Sequence, residues 1–187
     1  AAFYAHQASR NNYYEIGEEL VASGFEYFVG GGLKKVTGPD KDKTSLYDLA
    51  ADAGYKVTYT QADAEAVTAA DEKVILIDEH LADSDAMDYE MDRQDGEWAL
   101  ADYVEKGIEV LDNDTGFFMM CEGGKIDWAC HANEQVTMKP AVSRSALPVR
   151  TMILTSTALP IRRSPMPSST SSMSPPTRKT VRALKMQ

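Results

Sequence analysis

The last 53 of the 187 residues contain no aspartate or glutamate, whereas the first 134 contain all 29. Ordinary usage would place roughly six acids in a stretch of that length. The split hides inside a modest net charge of −10, because residues 1–134 carry a balance of −19 and residues 135–187 one of +9. Seven of the eight prolines also fall in the second part, in runs such as LPIRRSPMPSSTSSMSPPTRK. Cysteine is scarce: Cys121 and Cys130 are too few for a disulfide scaffold and leave the redox compartment open. Histidine is scarce too, with only His6, His80 and His131. No apolar run approaches the roughly 18–20 residues of a membrane-spanning helix, and the opening AAFYAHQASRNN lacks the basic-then-apolar layout of a secretory signal. It also lacks an initiator Met, so we expect further sequence upstream of Ala1.

What is present divides at residue 134. Residues 1–134 alternate helix-like and strand-like segments, and residues 135–187 form a basic Ser/Thr/Pro-rich tail whose composition predicts disorder. YYEIGEELVASG reads as a helix stopping at Gly24, with FEYFV after it as a buried strand and GGGLKKVTGPDKDK as a loop. Ser45 has the chemistry of an N-cap for SLYDLAADAG, with Asp48 three residues on and Gly54 as the stop. YKVTY and KVILI are predicted strands, and QADAEAVTAA between them a helix. An acidic loop, 78–95, read as a solvated face, precedes a long helix on which Trp98, Ala101, Val104, Ile108 and Leu111 would form one apolar face. GFFMMC is continuously apolar, as a central parallel strand covered on both faces would be. The alternation predicts a three-layer α/β/α fold with a mainly parallel sheet, in which chemistry sits beyond the carboxyl ends of the strands.

CEGGKIDWACHANE occupies that place in the sequence. Asp127 and His131 are four residues apart, so a helix puts them on one face, and a carboxylate oxygen with an imidazole nitrogen suits zinc. Glu122, a hard oxygen donor, is better matched to magnesium. Taken alone, Asp-x-x-x-His is a weak motif, and a helix-capping aspartate beside an exposed histidine would look the same. Gly123 and Gly124 would permit a sharp turn between strand and helix. Gly30–Gly32 is no phosphate-binding loop, since no Gly-Lys-Ser/Thr follows. His6 is expected to be structural, and His80 a solvated loop residue.

The whole string GFFMMCEGGKIDWACHAN resembles the segment of alkaline phosphatases in which an apolar strand leads into Glu-Gly-x-x-Ile-Asp-x-x-x-His. AAFYAHQASRNNYYEIG resembles the segment that supplies the family's phosphate-binding arginine, and FEYFVGGGLKK its strand and triple-glycine turn. The resemblance spans residues 1–134 in order and implies Arg10 as the phosphate-binding residue, Glu122 as a magnesium ligand, and Asp127 and His131 as zinc ligands. It implies hydrolysis of small phosphate monoesters through a phosphoserine at a site of two zincs and one magnesium, in a homodimer of periplasmic or extracellular origin. Membrane and nucleic-acid partners are not expected.

Several parts of that pattern are absent. The family's serine and two aspartate elements lie upstream of its arginine segment, and an Asp-His pair and a final His lie downstream, yet no histidine follows His131. We therefore read residues 1–134 as an internal piece of such a domain, inactive alone. A shifted reading frame or chimeric assembly would produce the acid-free tail, and one intact frame through the junction would refute that. Trp128 stands where relatives have Lys, His or Trp beside the phosphate, and ordinary packing is the equal alternative. A metal-dependent sulfatase or phosphodiesterase, or a non-catalytic acidic domain with a basic anion-binding tail, are the competing readings.

Overall fold

The computed structural model describes residues 3–82, 86–132 and 182–185. Five helices and five strands alternate along them. In chain order they are α1 (Tyr13–Ala22), β1 (Tyr27–Gly30), α2 (Leu46–Asp52), β2 (Lys56–Thr58), α3 (Gln61–Glu65) and β3 (Val74–Ile77). Then follow α4 (Leu100–Leu111), β4 (Phe118–Met119), α5 (Gly124–His131) and β5 (Arg182–Lys185). The strands form one sheet in the order β2-β3-β1-β5-β4, and every pairing in it is parallel. β1 and β3 lie in register from Tyr27↔Val74 to Gly30↔Ile77.

Period-2 alternation divides the apolar residues of these strands between two core layers. Tyr27, Val74 and Leu76 join Val67, Tyr103, Val110, Leu111 and Met119 on the α3/α4 side. Phe28 and Ile75 join Tyr4, Leu20, Phe25, Ala50 and Tyr55 on the α1/α2 side. Helices therefore cover both faces, and the three-layer parallel architecture expected from the sequence is the one observed.

Local signals operate where they were expected. The Ser45 side chain accepts a hydrogen bond from the Tyr47 N–H at 3.3 Å at the start of α2. Gly54, at φ +87°, ends that helix in the left-handed conformation that favours glycine.

Tertiary packing changes other expectations. α3 ends at Glu65 instead of continuing to residue 70, and Val67 turns into the core just after it. The 116–121 strand contracts to Phe118–Met119. α4 begins at Leu100 and buries Tyr103, Gly107, Val110 and Leu111, whereas Ala101 and Ile108 are exposed. The buried face is rotated because Gly107 admits the Tyr27 ring and Met119 close to the helix, and a larger residue there would prevent it. The tail, expected to carry no element, contributes Arg182–Lys185 as an interior strand between β1 and β4. The rest of the disorder expectation lies outside the described residues.

Candidate functional site

Glu122, Asp127 and His131 follow the carboxyl end of β4, and Arg10 lies on a separate turn ahead of α1. Past the end of β4, Glu122 is exposed, and α5 begins two residues later. Gly123 has φ −89°, so no left-handed conformation is needed at this turn. Its role is steric: a Cβ there would lie 3.0 Å from Ile126 Cδ1. Ala129 is the one buried residue of α5, which leaves most of the helix facing outward.

The four-residue spacing on α5 brings Asp127 Oδ2 to 3.5 Å from His131 Nε2. Both side chains are largely exposed, at 72% and 80%. Among the described residues no three His, Cys, Asp or Glu side chains gather as a group able to hold a metal ion. Asp127 and His131 are thus brought together, while Glu122 is not joined to them as a third donor. A carboxylate oxygen and an imidazole nitrogen are suitable donors for zinc, but two fall short of the three or four protein ligands that zinc sites use. On the same helix Lys125 Nζ lies 4.4 Å from the Tyr89 ring centroid and 4.9 Å from that of Trp128. Trp128 is 46% exposed.

Arg10 is exposed and lies in the turn that leads into α1. Glu19 of α1 fastens this segment: it accepts from the Gln7 side-chain amide at 2.6 Å and from the His6 backbone N–H. Those two hydrogen bonds, the Gln7 one first, hold the Glu19 carboxyl below its usual range. Asn12 Nδ2 donates to Gln7 Oε1 at 3.2 Å and closes the turn from the other side. The His6 ring is exposed and 3.7 Å from Glu19. A shallow cavity of about 410 Å³, lined by Asn11, Tyr14, Lys35 and Pro39 among others, adjoins this turn, and none of Glu122, Asp127 or His131 lines it.

Sequence reasoning placed Asp78 in a solvated acidic loop, but it is buried directly after β3. Burial pushes its carboxyl pKa up, against the lowering effect of hydrogen bonds from the His80 N–H and the Tyr103 hydroxyl. The Tyr27 hydroxyl donates to the Tyr103 carbonyl at 2.6 Å, so a buried polar chain links β1, α4 and the end of β3. The signal available was position: Asp78 immediately follows VILI, the most apolar strand of the chain. His80 is exposed as expected, with its ring 3.9 Å from Glu97 and 4.0 Å from Glu79.

A parallel sheet enclosed by helices, with an Asp/His pair past one strand and a fastened arginine turn on another element, describes part of a parallel α/β domain. The alkaline phosphatase family profile matches residues 1–143, and the chain belongs to that family. It is 28% identical over 143 residues to alkaline phosphatase 4 of Bacillus subtilis (strain 168), which covers 73% of this chain and 29% of that protein. The solved alkaline phosphatase of the Antarctic bacterium TAB5 is similar at a TM-score of 0.60 and 28% identity, covering 75% of this chain and 40% of that one. A variant of the TAB5 enzyme with magnesium bound matches with a TM-score of 0.59. The cold-active enzyme of the psychrophile Shewanella sp. matches at a TM-score of 0.61 and 26% identity, over 76% of this chain and 33% of its own.

Proposed function

We propose that this chain supplies part of a phosphate monoesterase site, with Arg10 binding phosphate, Asp127 and His131 as a zinc-ligand pair, and Glu122 as a magnesium ligand. The observation that carries the reading is the Asp127–His131 pair, held at 3.5 Å on a helix at the carboxyl edge of the sheet in a chain of this family. A planar, permanently charged guanidinium suits two phosphate oxygens, and Arg10 stands exposed on a turn braced by Glu19. Bound divalent ions would supply charge stabilisation to the attacking and leaving oxygens. The magnesium-bound TAB5 variant supports a metal-dependent site. In this reading the 187-residue chain is inactive by itself. The homodimer and the periplasmic or extracellular origin implied by the resemblance belong to this same reading.

The test is hydrolysis of p-nitrophenyl phosphate at alkaline pH with zinc and magnesium supplied, run beside zinc titration by calorimetry. We expect no turnover, together with zinc binding that weakens at least about tenfold, or about 1.4 kcal/mol, in Asp127→Ala and in His131→Ala. Turnover that survives Asp127→Ala, or zinc binding indifferent to both substitutions, would overturn the assignment.

A further inference from the structure

We propose that Tyr89 is a positioning residue for the Asp127–His131 pair, acting through Lys125 of α5. That helix has little core packing of its own, since Ala129 is its one buried residue. Lys125 is half-buried, and its ammonium has two rings beside it. One is Trp128, a turn further along the same helix, and the other is Tyr89, from the connection between β3 and α4. The centroid distances of 4.4 Å to Tyr89 and 4.9 Å to Trp128 are within the roughly 6 Å over which a ring face attracts a cation. Trp128 moves with the helix, so of the two contacts only that with Tyr89 ties α5 to another part of the fold.

Tyr89 suits that task because its own segment is fastened independently of α5. Its carbonyl accepts from the Asp92 N–H at 2.9 Å and from the Arg93 N–H at 3.1 Å, which closes a turn. The Arg93 guanidinium donates to Glu90 Oε1 at 3.0 Å and to the Glu97 carbonyl. Gln61, at the start of α3, donates to the Gly96 carbonyl at 2.9 Å and accepts from the Trp98 N–H at 3.2 Å. Met87 and Trp98 pack against the core layer on that side. The pair is also left unobstructed. At about 100° per residue, Asp127 and His131 stand about 160° and about 120° around the helix from Lys125. A grip at Lys125 thus fixes α5 without covering either donor. That the pair binds metal rests on the phosphatase reading; the grip itself does not.

The experiment measures amide exchange across α5 in the full chain without added metal. Tyr89→Leu, which removes the ring face, and Lys125→Met, which keeps the stem and removes the charge, should each speed it about fivefold, with β1 and β3 unaltered. Tyr89→Phe and Lys125→Arg keep the contact and should hold exchange within about twofold of wild type. Because both residues act through one contact, the double variant Tyr89→Leu/Lys125→Met should exchange no faster than either single one. Lys125→Met lies outside the 86–98 segment and carries the test should Tyr89→Leu loosen that segment itself. Exchange in α5 that ignores Lys125→Met, additive effects in the double variant, or a Tyr89→Phe as damaging as Tyr89→Leu would each overturn the proposal. Zinc titration separates this from the phosphatase reading. A wild-type chain that binds no zinc sinks that reading and leaves the grip to be judged on exchange. Where zinc does bind, Tyr89→Leu should weaken it by up to about fivefold and Tyr89→Phe should not, and zinc affinity indifferent to Tyr89→Leu would remove the positioning role.

Discussion

Asp78 closes β3 with a carboxyl group in a place where water is largely excluded. Burial is the largest influence on it, and the hydrogen bonds from His80 N–H and Tyr103 hydroxyl only partly oppose that influence, so its pKa is raised from an ordinary value of 3.8. A carboxyl whose folded-state pKa lies above its unfolded value adds stability below the unfolded pKa and loses it as pH climbs through the folded one. At neutral pH the ionised Asp78 is therefore a liability to the fold. Asn presents the same acceptor oxygen to its donors without the charge. We expect the melting temperature of Asp78→Asn, relative to wild type, to increase between pH 4 and pH 7. Thermal melts at the two values check this, and a variant that loses ground on going to pH 7 would mean that the charged form is the one the fold stabilises. The same carboxyl shows why burial is hard to read from composition. Seven acidic neighbours in the 78–95 stretch made a solvated loop the natural expectation, and only its place at the end of VILI distinguishes Asp78.

Helix α4 is positioned by a residue that contributes no side chain. A Cβ at Gly107 would lie 2.9 Å from Met119 Sδ and 2.9 Å from Tyr27 Cε1. The thioether of Met119 can move, but the Tyr27 ring is buried and fixed by its hydrogen bond to the Tyr103 carbonyl. Gly107→Ala would gain about 1 kcal/mol of helix propensity and incur about 1–3 kcal/mol of overpacking. Since the ring cannot yield, packing prevails, and urea denaturation should show a net loss of about 1 kcal/mol. An unchanged or higher midpoint would mean that α4 can shift without penalty. This element also marks the limit of what the sequence discloses. α1, α2, β1, β2 and β3 were legible because their signals are local: the cap at Ser45, the stops at Gly24 and Gly54, and the apolar runs. The spacing of Trp98, Ala101, Val104, Ile108 and Leu111 promised an apolar face, yet Tyr103 and Gly107 are buried in preference to Ala101 and Ile108. That choice is made by the shape of the sheet opposite, which no local pattern encodes. Glu122, Asp127 and His131 were legible as a motif, and α5 joins the last two, but the gathering of a complete ligand set depends on distant residues. β5 was illegible for a related reason, because RALK has no strand signature of its own.

Stability is spread unevenly over the molecule, and the candidate metal pair lies at its weak end. The core is concentrated where β1 and β3 meet α1, α2 and α4, with Phe28, Val74, Ile75 and Leu76 wholly buried. α5 buries only Ala129 and carries its ligand pair on the outward side. A helix of eight residues with so little packing is expected to open locally at a free energy well below that of global unfolding. A ligand that binds only the closed form stabilises it by RT ln(1 + [L]/Kd), with [L] the free ligand concentration. Zinc held by Asp127 and His131 should therefore act on the local equilibrium of α5 and leave the global one nearly unchanged. We expect saturating zinc to slow amide exchange across Gly124–His131 about tenfold, with exchange in β1 and β3 unaltered and the effect absent in His131→Ala. Uniform protection of α5, β1 and β3 would mean that the pair is coupled to the core through contacts the fold does not display. Protection that persists in His131→Ala would place the metal elsewhere on the chain.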